Sequence, residues 1–196
     1  QAWDAAVMAP MFIVFSFAYG LAIFLLVLMA AYAWTNRPLG DAVVRRLKNL
    51  LGVFVAGSLY FTAVHYLADL YAAEHRGVVR FILLDGGIFT AAFWIGQVLI
   101  GGIVPMILVW YPGTANSRPA AGLASLLVIL GGLAQMFVTI VGGLAYPQVL
   151  FPGMEASSAF QDGVVNSYVP TVPEVLLGVG GVAIALVMVT IAVKFL

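Results

Sequence analysis

Residues 6–33 read AVMAPMFIVFSFAYGLAIFLLVLMAAYA and contain no charged side chain. An α-helix rises about 1.5 Å per residue, so about 20 consecutive apolar residues cross the hydrocarbon core of a bilayer. The whole chain has the same character, because 64% of its 196 residues are hydrophobic and only 8% are charged. A soluble domain of this size does not need so much apolar surface. The stretch therefore predicts a transmembrane helix in an integral membrane protein.

Four further apolar segments are long enough to span a bilayer, at about residues 49–73, 81–110, 121–146 and 172–196. The loop 34–48 is basic, and the longest loop, 147–170, is rich in Pro, Gly and Ser, which is typical of irregular structure outside the hydrocarbon. The sequence therefore predicts an all-α integral membrane protein with about five transmembrane helices in a single domain, residues 1–196. We expect a four-helix bundle plus one additional helix.

The basic residues indicate the orientation of these helices. Six of them fall on one side of the predicted membrane, and only Arg76 and Arg80 fall on the other. Because cytoplasmic loops carry an excess of Lys and Arg, this places the N-terminus outside and the C-terminus in the cytoplasm of a bacterial or archaeal cell. No basic region precedes the first apolar run, so residues 1–4 do not resemble a signal peptide and look like the edge of a fragment.

The acidic residues show the opposite bias, since seven of the eight fall at the outer ends of helices or in outer loops. Only Asp41 lies inside. A simple account is that acids collect outside by default, but acids contribute little to the orientation rule. The bias therefore marks the outer face as the place to look for function.

Several kinds of chemistry are absent from the sequence. There is no cysteine, which excludes cysteine-ligated iron–sulfur clusters, and His65 and His75 lie on one helix and its flanking loop rather than facing each other as a haem pair. No nucleophile elbow, phosphate-binding loop, dinucleotide fingerprint or metal-spaced cluster is present. The formal net charge of zero argues against nucleic acid as a partner. We therefore expect no haem, iron–sulfur cluster or other metal site on this chain.

His65 and Asp69 are four residues apart near the outer end of the second helix, so they share one helical face. Ionisable groups at that depth are costly and usually face the bundle interior or a wet cavity. The pair either hydrogen-bonds a quinone carbonyl and passes its proton onward, or is a structural pair at the interface. Asp85, one turn into the third predicted helix, is either a second proton-handling group or a salt-bridge partner of Arg80 or Arg76.

Other polar residues favour structural roles. Gln97 and Gln135 lie near the middle of their helices, where amides usually form interhelical hydrogen bonds. The alternative role for these two side chains is to line a cavity. Thr171 and Glu174 have the spacing of a capping box at the start of the last helix. Glu174 also belongs, with Glu155 and Asp162, to an acidic outer loop that is a candidate docking surface for a soluble partner.

Several segments, in this order, resemble the NrfD/PsrC-like family of polysulfide reductase membrane subunits. They are residues 3–20 with Pro10 and Phe12, 65–71, 85–87, 93–97 followed by Pro105, 142–153 and 168–174. The last two stretches are the most specific. Within the family they look most like the P subunits of sulfite-reductase-linked complexes (DsrP) and the hydrogenase membrane subunits (HybB).

This resemblance implies a haem-free subunit that exchanges electrons between the quinone pool, menaquinone or ubiquinone, and an iron–sulfur subunit on the outer side. Other membrane and cytochrome subunits and membrane lipid are further implied partners. Larger family members have about ten helices in two bundles, and this chain looks like the C-terminal half. Since the family's quinone pocket is generally in the N-terminal bundle, His65 and Asp69 belong either to a quinone site, to a proton route or to a structural remnant.

Two other functions compete with this one. Helices interrupted by Gly and Pro, together with outer carboxylates, would suit a secondary transporter or a proton-channel subunit. That function requires a continuous polar path, and few polar residues lie on the inner half of any helix. The third possibility is a purely structural membrane anchor that assembles a complex.

Overall fold

A computed structural model describes residues 5–114, 117–147, 164–165 and 168–195, and these contain helices but no strand. Five helices are long and apolar enough to cross a membrane. They are α1 (Met8–Trp34), α2 (Asp41–Tyr71), α3 (Ile88–Trp110), α4 (Arg118–Ala145) and α5 (Val172–Phe195). The predicted all-α integral membrane fold with five spans is confirmed.

The helices α1 to α4 pack against one another as a bundle, whereas α5 buries none of its residues against them. The closest approach in the bundle joins α3 to α4, where a methyl group added to Gly131 would overlap the backbone of Gly101. Small residues allow such backbone contact, which replaces the hydrophobic driving force that is missing in lipid.

The second helix begins earlier than predicted, at Asp41 rather than near residue 49. The sequence prediction followed apolar residues only, and so assigned Arg45, Arg46 and Lys48 to a loop. A helix does not have to end where the hydrocarbon ends. Its first turn starts after the extended residue Gly40, and the carboxylate of Asp41 stabilises the positive end of the helix dipole.

The prediction of a third helix over residues 81–110 was wrong for its first turns. Residues 72–85 connect α2 to α3, and we call them the connector. They turn and then form the short helical stretch Arg76–Arg80 continued by Phe81–Asp85, and the chain breaks at Gly86 and Gly87 before α3 begins at Ile88. Gly87 has a φ of 56°, which is accessible to glycine at little cost. These glycines therefore turn the chain between two helical segments, and Asp85 ends the connector instead of lying one turn inside α3.

Two stretches inside the spans are wound more widely than an α-helix, with π-helical hydrogen bonding. They are Ala92–Ile103 in α3 and Phe137–Gly142 in α4. Such segments are uncommon and occur frequently at functional sites. One contains Gln97 and the other contains Thr139, and both residues belong to the polar interior described below.

The two ends of the bundle differ in charge. The basic end carries Arg37, Arg45, Arg46, Lys48, Arg118 and Lys194, and the opposite, acidic end carries His65, Asp69, Glu74, Asp85 and Glu174. At the basic end, Arg118 at the start of α4 pairs with Asp41 at 2.7 Å. The buried Lys48 donates to the carbonyl oxygen of Thr114 at 3.3 Å, just beyond the end of α3.

Candidate functional site

His65 and Asp69 lie on the buried face of α2 in its last two turns, each with 7% of its surface exposed. The Nε2 atom of His65 is 3.6 Å from Oδ2 of Asp69. Their four-residue spacing placed them on one face, and bundle packing made it the inward face. Because ionisable groups inside a membrane are costly and usually functional, this pair is the core of the candidate site.

His75 joins this pair from outside α2. The chain turns after Tyr71, and the connector brings Nδ1 of His75 to 3.7 Å from Oδ1 of Asp69. One carboxylate thus lies between two imidazoles, and we refer to His65, Asp69 and His75 as the His–Asp–His cluster. Sequence reasoning missed the third member because the ten-residue spacing crosses a helix end and has no fixed geometry.

A small cavity adjoins the His–Asp–His cluster, with a volume of about 20 Å³. It is also lined by Tyr66, Val78, Val79, Ile82, Thr139 and Gly143. A water molecule needs roughly 10–15 Å³, so the cavity accommodates about one water. Ligand pockets usually occupy roughly 300 Å³ or more, so this cavity is much smaller than an ordinary ligand pocket.

The distances in the cluster suit a bridging water. Both imidazole–carboxylate separations exceed 3.5 Å, beyond a direct hydrogen bond. The Nδ1 atom of His65 is buried, and it makes no hydrogen bond within the part of the chain that the structure describes. Polar groups left in this state commonly bind an ordered water. The cluster can therefore hold and pass a proton through water.

Hydrogen bonds lead from this cavity into the middle of the bundle. The Nε2 atom of Gln135 donates to Oγ1 of Thr139 at 3.2 Å, and the hydroxyl of Tyr19 donates to Oε1 of Gln135 at 3.4 Å. Tyr19 lines a second cavity of about 20 Å³, where Nε2 of Gln97 donates to Oγ1 of Thr62 at 3.3 Å. Interhelical hydrogen bonding by both glutamines is confirmed.

The interior of the bundle is more apolar towards the basic end. There, Ala22, Leu51, Val55 and Val128 form one buried apolar cluster, and Leu25, Leu39, Val44 and Ala121 form another. Two buried polar side chains accompany them, since Ser125 donates to the carbonyl oxygen of Ala121 at 2.9 Å and Lys48 donates to that of Thr114. The other five buried polar or charged side chains of the described residues lie at the middle of the bundle or towards the acidic end.

Asp85 does not join the cluster. Its carboxylate pairs with Nε of Arg80 at 2.9 Å, and its side chain is 58% exposed. It is also absent from the lining of the cavity beside Asp69. Of the two roles that the sequence left open, the salt bridge is the one that this geometry favours.

We expect the substitution Asp85→Asn to change the free energy of unfolding by less than about 1 kcal/mol, because exposed ion pairs are screened by water. Thermal unfolding of the purified chain in detergent measures this change. If the variant instead lost a large part of its stability, the Arg80–Asp85 pair would have to be a fixed element of the connector.

The structure describes only one of the three proposed docking residues, Glu174. Glu155 and Asp162 lie outside the described residues. Glu174 accepts hydrogen bonds from the backbone N–H of Thr171 at 2.7 Å and from the hydroxyl of Tyr168 at 3.0 Å. The second of these raises the pKa of Tyr168. Glu174 thus makes the backbone contact expected of a capping box at the start of α5.

Metal ions require particular arrangements of ligand side chains. Within the part of the chain that the structure describes, no group of three or more His, Cys, Asp and Glu side chains has an arrangement that could hold a metal ion.

Comparison with known proteins identifies a family and several relatives. A family model described as "Polysulphide reductase, NrfD" matches residues 1–148. The Hdr-like menaquinol oxidoreductase integral membrane subunit of Archaeoglobus fulgidus is 29% identical over 99% of this chain and 49% of its own length. No solved structure matches the chain.

Two further relatives are more distant. A selenate reductase subunit of Mesobacillus selenatarsenatis is 25% identical over 98% of this chain and 43% of its own length. A putative dimethyl sulfoxide reductase membrane subunit of Halobacterium salinarum is 25% identical over 99% of this chain and 46% of its own length. The chain thus spans about half the length of the curated relatives that it matches.

Proposed function

Because the chain belongs to the NrfD family of polysulfide reductase membrane subunits, we propose that it serves a quinone-linked oxidoreductase complex. In this proposal it is part of the membrane subunit at which electrons are exchanged between the quinone pool and an iron–sulfur partner subunit at the acidic end. The chain itself carries no haem or iron–sulfur cluster. Support comes from the family match and from a relative whose name describes a menaquinol oxidoreductase subunit.

The observation that carries the proposal is the buried His–Asp–His cluster. Quinone reduction and oxidation take up and release protons, so a quinone-linked subunit needs groups that exchange protons with one side of the membrane. Two imidazoles and a carboxylate, held around space for one water at the acidic end, supply such groups. Burial of this many ionisable groups in a membrane protein has a stability cost that a proton-handling role explains.

The size of the cavity assigns the cluster a limited role. Since about 20 Å³ is close to the space of one water and far below that of an ordinary ligand pocket, we propose that the cluster delivers or removes protons and that the quinone ring binds elsewhere. Thr139, Gln135 and Tyr19 extend this polar region inward by direct hydrogen bonds. Of these three, Thr139 also lines the cavity beside Asp69, and the other two extend the polar region behind it.

The alternative of a transporter or proton-channel subunit is less well supported. Such a protein needs a polar path from one membrane surface to the other. Within the described residues, the half of the bundle towards the basic end has two clusters of buried apolar side chains and only two buried polar side chains, Ser125 and Lys48, so polar groups are sparse along such a path. The remaining alternative, a purely structural anchor, leaves the buried cluster without a role.

Orientation and partners complete the proposal. The positive-inside rule places the basic end in the cytoplasm and the acidic end outside, in a bacterial or archaeal cell membrane. The iron–sulfur subunit would then dock over the acidic end, near Glu174 and the outer loop that contains Glu155 and Asp162. Further membrane and cytochrome subunits would contact the lipid-facing helices.

Purification of the chain with its partners from its native membrane tests this proposal. We expect a co-purifying subunit with cysteine quartets, electron paramagnetic resonance signals of iron–sulfur clusters, and oxidation or reduction of a menaquinol analogue by the complex. A chain that purifies without redox subunits and conducts ions in liposomes would contradict the proposal and favour the transporter.

A further inference from the structure

A wide cavity lies at the basic end, between the end of α1 and the last turns of α5. Its volume is about 550 Å³, and it is lined by Trp34, Thr35, Arg37, Thr190, Val193 and Lys194. This cavity is separate from the His–Asp–His cluster, which lies at the opposite end of the bundle. In a membrane, space of this size next to two transmembrane helices is filled by lipid or by protein.

The charged side chains that line this cavity indicate what kind of ligand it binds. Arg37 and Lys194 both contribute to the cavity, and no acidic residue does. The nearby carboxylate of Asp41 is already paired with Arg118 at 2.7 Å. Within the described residues, neither Arg37 nor Lys194 has an acidic partner. Two cations that share a cavity without an anion favour a negatively charged ligand.

The location of the cavity indicates what carries the negative charge. Trp34 is an exposed aromatic residue at the end of a transmembrane helix, a position typical of the lipid headgroup level. The helix α5 buries none of its side chains in the described chain, so its apolar surface near Val193 is available to acyl chains. A phospholipid matches both the charged and the apolar parts of the lining, with its phosphate at headgroup level beside the two cations and its acyl chains alongside α5.

We propose that this cavity binds the phosphate headgroup of an anionic phospholipid, held by Arg37 and Lys194, with its acyl chains between α1 and α5. Basic pockets between transmembrane helices on the cytoplasmic side commonly bind such headgroups. The bound lipid would fill the gap between α5 and the rest of the bundle. This proposal is independent of the proposed electron-transfer function.

The absence of cysteine from the sequence makes a local test possible. The variant Val193→Cys, labelled with a bimane fluorophore, reports lipid in the cavity when the full chain is placed in nanodiscs. We expect brominated phosphatidylglycerol to quench this label more strongly than brominated phosphatidylcholine. The double substitution Arg37→Gln and Lys194→Gln should lower the preference for phosphatidylglycerol by about 25-fold, since each cation near an anionic surface contributes about fivefold.

The matched control is the double substitution Arg45→Gln and Arg46→Gln, which removes two exposed cations of the basic end that do not line the cavity. It should keep the preference for phosphatidylglycerol, and far-ultraviolet circular dichroism should show the same helix content in both double variants. Equal quenching by the two lipids would overturn the proposal. So would displacement of the lipid by millimolar inorganic phosphate, because the ligand would then be a free anion, or exclusion of lipid by a protein subunit in the native complex.

Discussion

The substitution Asp69→Asn should lower the quinone-linked turnover of the assembled complex by about 100-fold or more, since positioned acid–base groups contribute roughly 10²–10⁴-fold. Asparagine preserves the size of the side chain but removes the charge that lies between His65 and His75. Neither imidazole can then exchange a proton with this side chain. Turnover of a menaquinol analogue by purified complex measures the effect.

The matched control for this prediction is Glu74→Gln, which removes an exposed carboxylate five residues away from Asp69 at the same end of the bundle. It should leave turnover unchanged. Co-purification of the partner subunits must be the same in both variants, so that lost assembly is not mistaken for lost proton transfer. Normal turnover by an assembled Asp69→Asn complex would show that the cluster is structural and would favour the anchor.

The pH dependence of turnover distinguishes a loss of proton transfer from a structural defect of the variant. If Asp69 and the two imidazoles pass protons, the variant His75→Gln should change the pH profile of turnover as well as its maximum. A structural defect would scale turnover equally at every pH. His75 suits this measurement because it reaches the cluster from the connector, and its replacement does not alter the packed face of α2.

The substitution Gly131→Ala should destabilise the bundle by about 3 kcal/mol, near the upper end for overpacking, because the added methyl group meets backbone atoms that cannot rotate away. The new methyl group would overlap the Cα atom of Gly101 where α3 and α4 touch. For a chain of this length, such a loss lowers the midpoint of thermal unfolding by roughly 10 °C. Differential scanning fluorimetry of the purified chain in detergent measures it.

The chain provides a control of the same chemical type in Gly180→Ala. Gly180 lies within α5, and a methyl group added there meets nothing within 4 Å. Alanine is a better helix former than glycine, so this variant should be neutral or slightly more stable. If Gly131→Ala were equally harmless, the helices α3 and α4 would have to pack less closely than the structure indicates.

The number and type of helices followed from the sequence because hydrophobic length is a local property. Each span had to satisfy its own backbone hydrogen bonds in lipid, and a run of about 20 apolar residues was enough to identify it. The predicted helix bounds were wrong where a helix continued through charged residues or was broken by glycine. Apolar length does not show that α2 continues through Arg45 and Lys48, or that Gly87 adopts a positive φ and breaks the third segment.

The bias of charge between the two ends and the pairing of His65 with Asp69 were also determined by the sequence, since a four-residue spacing fixes one helical face. Only the tertiary structure brought His75 to Asp69 and joined Tyr19 on α1 to Gln135 on α4. Those contacts join residues on different segments, so they depend on the direction of the connector and on how closely the helices approach. The structure also favoured the pair with Arg80 among the roles that the sequence left open for Asp85. The same packing reduced the cavity to the size of one water, and that size, which no spacing in the sequence encodes, is why we propose that the cluster handles protons rather than binds the quinone ring.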